Sequence, residues 1–84
     1  MARQVEYSRE AAKSLARIDR ATSKRIRSKV EQLAANPGSL ARNVKALKGG
    51  RLFRLRVGDW RVIYTESLVV VTVERVAPRG SAYE

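Results

Sequence analysis

The stretch FRLRVGDWRVIY, residues 53–64, constrains the fold more than any other part of the chain. Apolar and polar residues alternate on either side of Gly58-Asp59, the period of a half-buried strand. Gly58-Asp59 fits a two-residue hairpin loop, with glycine supplying the positive φ of a type II′ turn. That register pairs Val57 with Trp60, Arg56 with Arg61, Leu55 with Val62, Arg54 with Ile63 and Phe53 with Tyr64. Phe53, Leu55, Val57, Trp60, Val62 and Tyr64 then share one face, the predicted core face. Arg54, Arg56 and Arg61 lie on the other. A slip of one residue would drive the arginines into the core, so the register is strongly specified.

The arginines create a physical tension. Like charges directly opposite each other in a sheet are destabilising, and Arg56 faces Arg61 with Arg54 one step along. A cationic cluster on a rigid sheet makes sense if an anion is meant to sit there. Arginine suits phosphate because its planar fork donates paired hydrogen bonds. The plain alternative is a polar outer face neutralised by Glu74 or Glu66. The whole chain leans the same way. Its 84 residues hold 18 Lys+Arg against 8 Asp+Glu, a net charge of +10. Such an imbalance favours a polyanionic or acidic partner.

Other chemistries are excluded by what is missing. The chain has no cysteine, hence no disulfide and no thiolate metal site. It has no histidine, which removes the commonest general base and the commonest neutral metal ligand. No metal and no cofactor are expected. The N-terminus MARQVEYSRE carries no apolar signal core, and no apolar run is long enough to span a bilayer. The expectation is a cytoplasmic, soluble protein without a membrane partner, folded as one small domain over residues 1–84.

Elsewhere the period is helical. Gln4-Val5-Glu6-Tyr7 alternates as a short strand. Ser8 suits an N-cap, with Glu10 in the first turn of a helix whose Ala11, Leu15 and Ile18 form one apolar stripe. Asp19 suits the cap of a second helix carrying Ile26, Val30 and Leu33, and Asn36-Pro37-Gly38 ends it. The outer faces hold Arg9, Lys13, Arg17, Lys24, Arg25, Arg27 and Lys29, each most simply a solvated cation. Residues 38–50, GSLARNVKALKGG, read as an irregular basic connection. Strands are predicted at 52–57, 60–66 and 68–76. The last of these is expected to place Val69, Val71 and Val73 on the core face and Thr72 and Glu74 on the open face. The tail APRGSAYE reads as irregular. The order is β-α-α-β-β-β: an α+β domain, an antiparallel sheet with an α-hairpin packed on one face.

With these elements placed, LKGG…FRLRVGDWRVIY, the valine-rich strand and VERVAPRGSAY together resemble the RelE toxins of the RelE/ParE superfamily, bacterial type II toxin–antitoxin proteins. The resemblance covers nearly the whole chain in element order and is most specific over residues 46–64 and 75–83. It implies a RelE-like fold and a metal-independent endoribonuclease. Such mRNA interferases enter the ribosomal A site and cut the codon there, inhibiting translation. The message's own 2′-OH attacks the adjacent phosphate, leaving a 2′,3′-cyclic phosphate and a 5′-OH end. Partners implied are a cognate antitoxin and the ribosome with its mRNA, including rRNA contacts. Operator DNA would be met only through the antitoxin.

Matched residue by residue, Arg54 and Arg56 occupy two usually basic positions on the first hairpin strand. Arg61 looks like a transition-state stabiliser. Arg79 matches the arginine assigned to phosphate contact and protonation of the leaving group. Tyr83 matches the tyrosine that stacks on a base and helps orient or activate the 2′-OH. Lys45, Lys48 and Arg51 are the expected RNA-binding cations. Two departures bear on the chemistry. Ala77-Pro78-Arg79 stands where related sequences often have Gly-His-Arg, and proline fixes φ and lacks a backbone donor. Arg56 stands where a lysine often serves, and arginine is a poor general base. Proton abstraction would then fall to Tyr83, Glu74 or water, unless the 2′-OH is merely oriented. Two other readings share the basic surface. One is a ParE-like toxin acting on DNA gyrase. The other is a catalytically weak toxin that serves as a nucleic-acid and antitoxin-binding module.

Overall fold

A computed structural model describes residues 3–80. Strand β1 (Gln4–Tyr7) leads into helices α1 (Arg9–Arg17) and α2 (Arg20–Ala35). A 3-10 segment, Pro37–Asn43, then precedes strands β2 (Val44–Ala46), β3 (Phe53–Val57), β4 (Trp60–Glu66) and β5 (Val70–Pro78). The five strands form one sheet in the order β1-β5-β4-β3-β2. The predicted α+β class holds, with two revisions. The sheet is mixed, because β1 lies parallel to β5, with Gln4 beside Val70 and Tyr7 beside Val73. The connection read as irregular contains the 3-10 segment and the short strand β2, which pairs antiparallel with β3.

Both helix starts follow from their caps. The Ser8 hydroxyl accepts from the Ala11 amide at 3.0 Å and donates to the Glu74 carbonyl at 2.7 Å. One side chain thus begins α1 and pins it to β5. The Asp19 carboxylate accepts from the Thr22 amide at 3.0 Å and starts α2. The apolar stripes of the two helices, Ala11, Leu15, Ile26, Val30 and Leu33, pack with Leu55, Val57, Val62, Tyr64, Val71, Val73 and Val76 into one core. Phe53 and Tyr64, cross-strand partners, stack with ring centroids 5.5 Å apart.

The hairpin has the register its alternation dictates, including Arg56 opposite Arg61. Gly58 has φ +58°, and no residue other than glycine has a positive φ among the described residues. That is the pattern of a II′ rather than a I′ turn. A Cβ at Gly58 would lie 3.3 Å from both terminal nitrogens of Arg25, which reaches the turn from α2.

Strand β5 departs from prediction. It runs two residues further along than expected and includes Ala77 and Pro78, read above as irregular tail. Val69 precedes it and is 66% exposed instead of packed on the core. A bulge shifts the register: Tyr64 faces Val73, but Ile63 faces Arg75, leaving Glu74 as the extra residue. The extra residue resets the alternation. Val76 returns to the core opposite Val62, while Arg75 and Ala77 fall on the arginine face opposite Ile63 and Arg61.

Gly58→Ala forces a strained φ against Arg25, and chemical denaturation should show a loss of about 1–3 kcal/mol. Burial pushes the Tyr64 hydroxyl up to about 12, with the Glu66 carboxylate adding to the rise and Arg3 opposing it. An unfolded tyrosine titrates near 10, roughly. The folded value is the higher one, so this stabilisation is complete below about pH 10 and is lost as pH rises towards about 12. The denaturation midpoint of Tyr64→Phe should therefore fall less steeply over that window. An equally steep fall would assign the alkaline loss to other groups.

Candidate nucleic-acid groove

The hairpin's open face is built from register. One row across the sheet runs Lys45, Arg54, Ile63, Arg75, and a second runs Arg56, Arg61, Ala77. In a two-residue hairpin the Val57–Trp60 pair beside the turn exchanges both ladder hydrogen bonds. Arg56 and Arg61 are then a non-hydrogen-bonded pair, the kind whose side chains lie closer. Arg61 relieves the crowding by bending back to the turn. Its Nη1 donates to the carbonyls of Gly58 at 3.1 Å and Trp60 at 3.0 Å. Those two bonds leave its other N–H groups uncommitted. Ile63, flanked in register by Arg54 and Arg75, is only 1% exposed yet stands outside the main core cluster.

Lys45, Arg54, Arg56 and Arg61 of these rows line an open groove of about 340 Å³, within the usual size of ligand sites. Arg54, Arg56 and Arg61 line it from β3 and β4. Arg42, Asn43 and Lys45 line it from the end of the 3-10 segment and from β2. Five of the lining side chains are cations and none is an acid. None of the five is in an ion pair among the described residues. The neutralising acids considered from the sequence do not serve. Glu66 pairs with Arg3 at 2.7 Å, and Glu74 forms no ion pair among the described residues. Arg75 is the one member of the two rows that is paired, with Glu10 at 3.2 Å.

Not every expected residue gathers here. Arg54, Arg56, Arg61 and Lys45 do. Lys48 lies exposed in the β2–β3 connection and does not line the groove. Arg51 borders a different hollow, with Phe53, Thr65 and Glu66. Arg79 does not line the groove, but its backbone amide donates to the Asp59 carbonyl at 2.7 Å, which ties it to the turn that holds Arg61. Tyr83 lies outside the described residues. Arg42 and Asn43 are not singled out by the sequence pattern. The only signal for their position is the three-residue alternation Val44-Lys45-Ala46, too short to declare a strand. No helix among the described residues is long and apolar enough to cross a membrane.

Comparison with known proteins places this architecture. The profile of the family described as "ParE toxin of type II toxin-antitoxin system, parDE" matches residues 5–83. A chain of the archaeal RelE–RelB complex from Pyrococcus horikoshii OT3 is 30% identical, with TM-score 0.80. The match covers 98% of this chain and all of that one. A chain of the RelB–RelE complex from Methanococcus jannaschii is 23% identical, with TM-score 0.71, over 90% of this chain and 92% of that one. A chain of the intact E. coli RelBE complex is 19% identical, with TM-score 0.75, over 95% of this chain and 99% of that one. No curated protein matches by sequence. The chain belongs to the ParE toxin family, within the RelE/ParE superfamily, and is a toxin of a type II toxin–antitoxin system.

The Arg56–Arg61 pair gives a prediction about stability. Removing one member of a like-charged cross-strand pair relieves repulsion, so Arg56→Gln should stabilise the fold by about 0.2–1 kcal/mol. The gain should shrink as added salt screens the charges. Denaturation at low and high salt measures both. A loss of stability would mean that the Arg56 stem contributes more by packing than its charge removes.

Proposed function

We propose that this toxin is a ribosome-dependent mRNA endonuclease that cuts A-site codons and so inhibits translation. The observation that carries the reading is the unneutralised cationic groove on the sheet face. A site with this much uncompensated charge on rigid strands suits a polyanionic backbone, and phosphate is the anion that arginine forks fit best.

In this reading the 2′-oxygen of the message bonds to the neighbouring phosphorus and the bond to the 5′-oxygen breaks. The products are a 2′,3′-cyclic phosphate and a 5′-OH end. One proton leaves the 2′-hydroxyl and one arrives at the 5′-oxygen, so no net proton is consumed. The groove's contribution is positioning and charge stabilisation, the larger part of catalysis in phosphoryl transfer. Arg54 and Arg56 hold the phosphate, and the free N–H groups of Arg61 face the charge that develops on it. Arg79, tied to the same turn, stabilises the leaving oxygen by hydrogen bonding, and water delivers the proton that the 5′-oxygen takes up. Tyr83 supplies a base-stacking face, and it or water takes the 2′ proton. Lys45 joins Arg42 in guiding the backbone, while Lys48 and Arg51 contact RNA outside the groove.

The expected partners are the ribosome and a cognate antitoxin. Structural relatives occur in complexes with RelB antitoxins. An acidic, amphipathic antitoxin segment laid across the basic face would neutralise it. Operator DNA would be reached through that antitoxin.

A second reading has one observation in its favour: the matching family carries the ParE name. In that reading the target is DNA gyrase and the groove is a protein-binding surface. Induction in bacteria separates the two. Message cut within translated codons supports the nuclease, and DNA breaks without message cleavage support the gyrase inhibitor. For the nuclease, losing one preorganised donor costs about 100- to 1000-fold in rate. Primer extension in a translating extract should show that loss for Arg61→Ala. Unchanged cutting by that variant would remove Arg61 from the chemistry.

A further inference from the structure

The groove's lining is chemically lopsided. Arg42, Lys45, Arg54, Arg56 and Arg61 are cations, which hold phosphates and can do so whatever base is attached. Asn43 is the one neutral polar side chain among them. It is half-buried at the end of the 3-10 segment, immediately before β2. Its amide makes no hydrogen bond among the described residues. Nor is it sealed in the interior, because no buried side-chain nitrogen or oxygen among the described residues lacks a partner. The amide of this groove-lining residue therefore reaches solvent with two donors and an acceptor unspent.

A side-chain amide differs from its cationic neighbours in offering a donor and an acceptor side by side. A nucleobase edge presents the same kind of pairing, and a single-stranded base leaves its edge open to be read. Extending the β2–β3 ladder by one residue places Asn43 opposite Arg56. The amide then stands beside the phosphate-holding row, where the base of a bound nucleotide would lie.

We propose that Asn43 is the base-reading residue of the groove: it selects among nucleotides in single-stranded RNA, while the surrounding cations bind the backbone without regard to sequence. This rests on the reading of the groove as an RNA site. It adds to that reading the residue that gives the site a preference.

The test is binding, which does not depend on cleavage. Four short oligoribonucleotides of equal length, one for each base, are titrated into the full chain at fixed salt and followed by fluorescence anisotropy. The wild type should prefer one base over the least favoured by about fivefold or more, the lower end of what one bidentate amide–base contact provides. Asn43→Ala should collapse that ratio by weakening the favoured RNA about fivefold or more, to the level of the least favoured. Arg56→Ala should weaken all four RNAs alike. Asn43→Asp keeps the shape but loses the donors. It should shift preference towards cytosine, whose amino group donates to a carboxylate. A wild type without preference, or an Asn43→Ala protein with the wild-type ratio, overturns the proposal. If the isolated toxin binds none of the four RNAs, as a ribosome-dependent enzyme can, the same preference is read by primer extension of message in a translating extract. There an Asn43→Ala protein with the wild-type choice of cut sites overturns the proposal, and absence of any cutting by the wild type removes the RNA reading of the groove itself.

Discussion

The pairing of Arg56 with Arg61 across the β3–β4 ladder is the constraint on which the rest of the structure turns. Two cations side by side on a sheet are unfavourable unless something offsets them. Three features hold them in place. Gly58 closes the hairpin in a conformation that other residues adopt only with strain. Arg25 from α2 braces the turn from the helical side. The core face of the same hairpin, with Leu55, Val57, Val62 and Tyr64 buried, would have to be exposed for the register to slip. Burial on one face therefore enforces crowding on the other. Natural sites often carry such local conflicts where a ligand resolves them.

Arg61 shows how the fold tolerates the conflict without an acid. It spends one terminal nitrogen on two carbonyls of its own turn. Carbonyl oxygens stabilise the guanidinium without cancelling its charge. A carboxylate there would have neutralised the groove. Among the described residues, the acids that form ion pairs, Glu66 and Glu10, do so outside the groove lining, with Arg3 and Arg75. Charge is thus compensated around the groove and left uncompensated inside it.

Much of this was legible in the sequence, for local reasons. Alternation and a Gly-Asp turn determine the hairpin and its three arginines. Ser8 and Asp19 announce their helices by capping chemistry that needs only nearby residues. What stayed hidden depends on distant partners. Strand β2 is three residues long and exists because β3 offers it a free edge. The groove wall it carries, with Arg42 and Asn43, was hidden with it. The bulge at Glu74 was equally silent, because a run such as VVVTVERV accepts either phase of alternation. Ser8, which bonds to the Glu74 carbonyl, marks the place only once the fold has brought them together. Lys48 and Arg51 look like members of the basic cluster by proximity in sequence, but they sit in the β2–β3 connection and do not line the groove.

The end chemistry of cut message tests the nuclease reading most directly. Full-length toxin is added to a translating extract, and the termini of the resulting mRNA fragments are identified chemically. Attack by the 2′-OH predicts upstream fragments ending in a 2′,3′-cyclic phosphate and downstream fragments beginning with a 5′-hydroxyl, at positions in frame with translation. Fragments bearing 3′-hydroxyl and 5′-phosphate ends, or intact message in an extract whose translation the toxin has stopped, would contradict it.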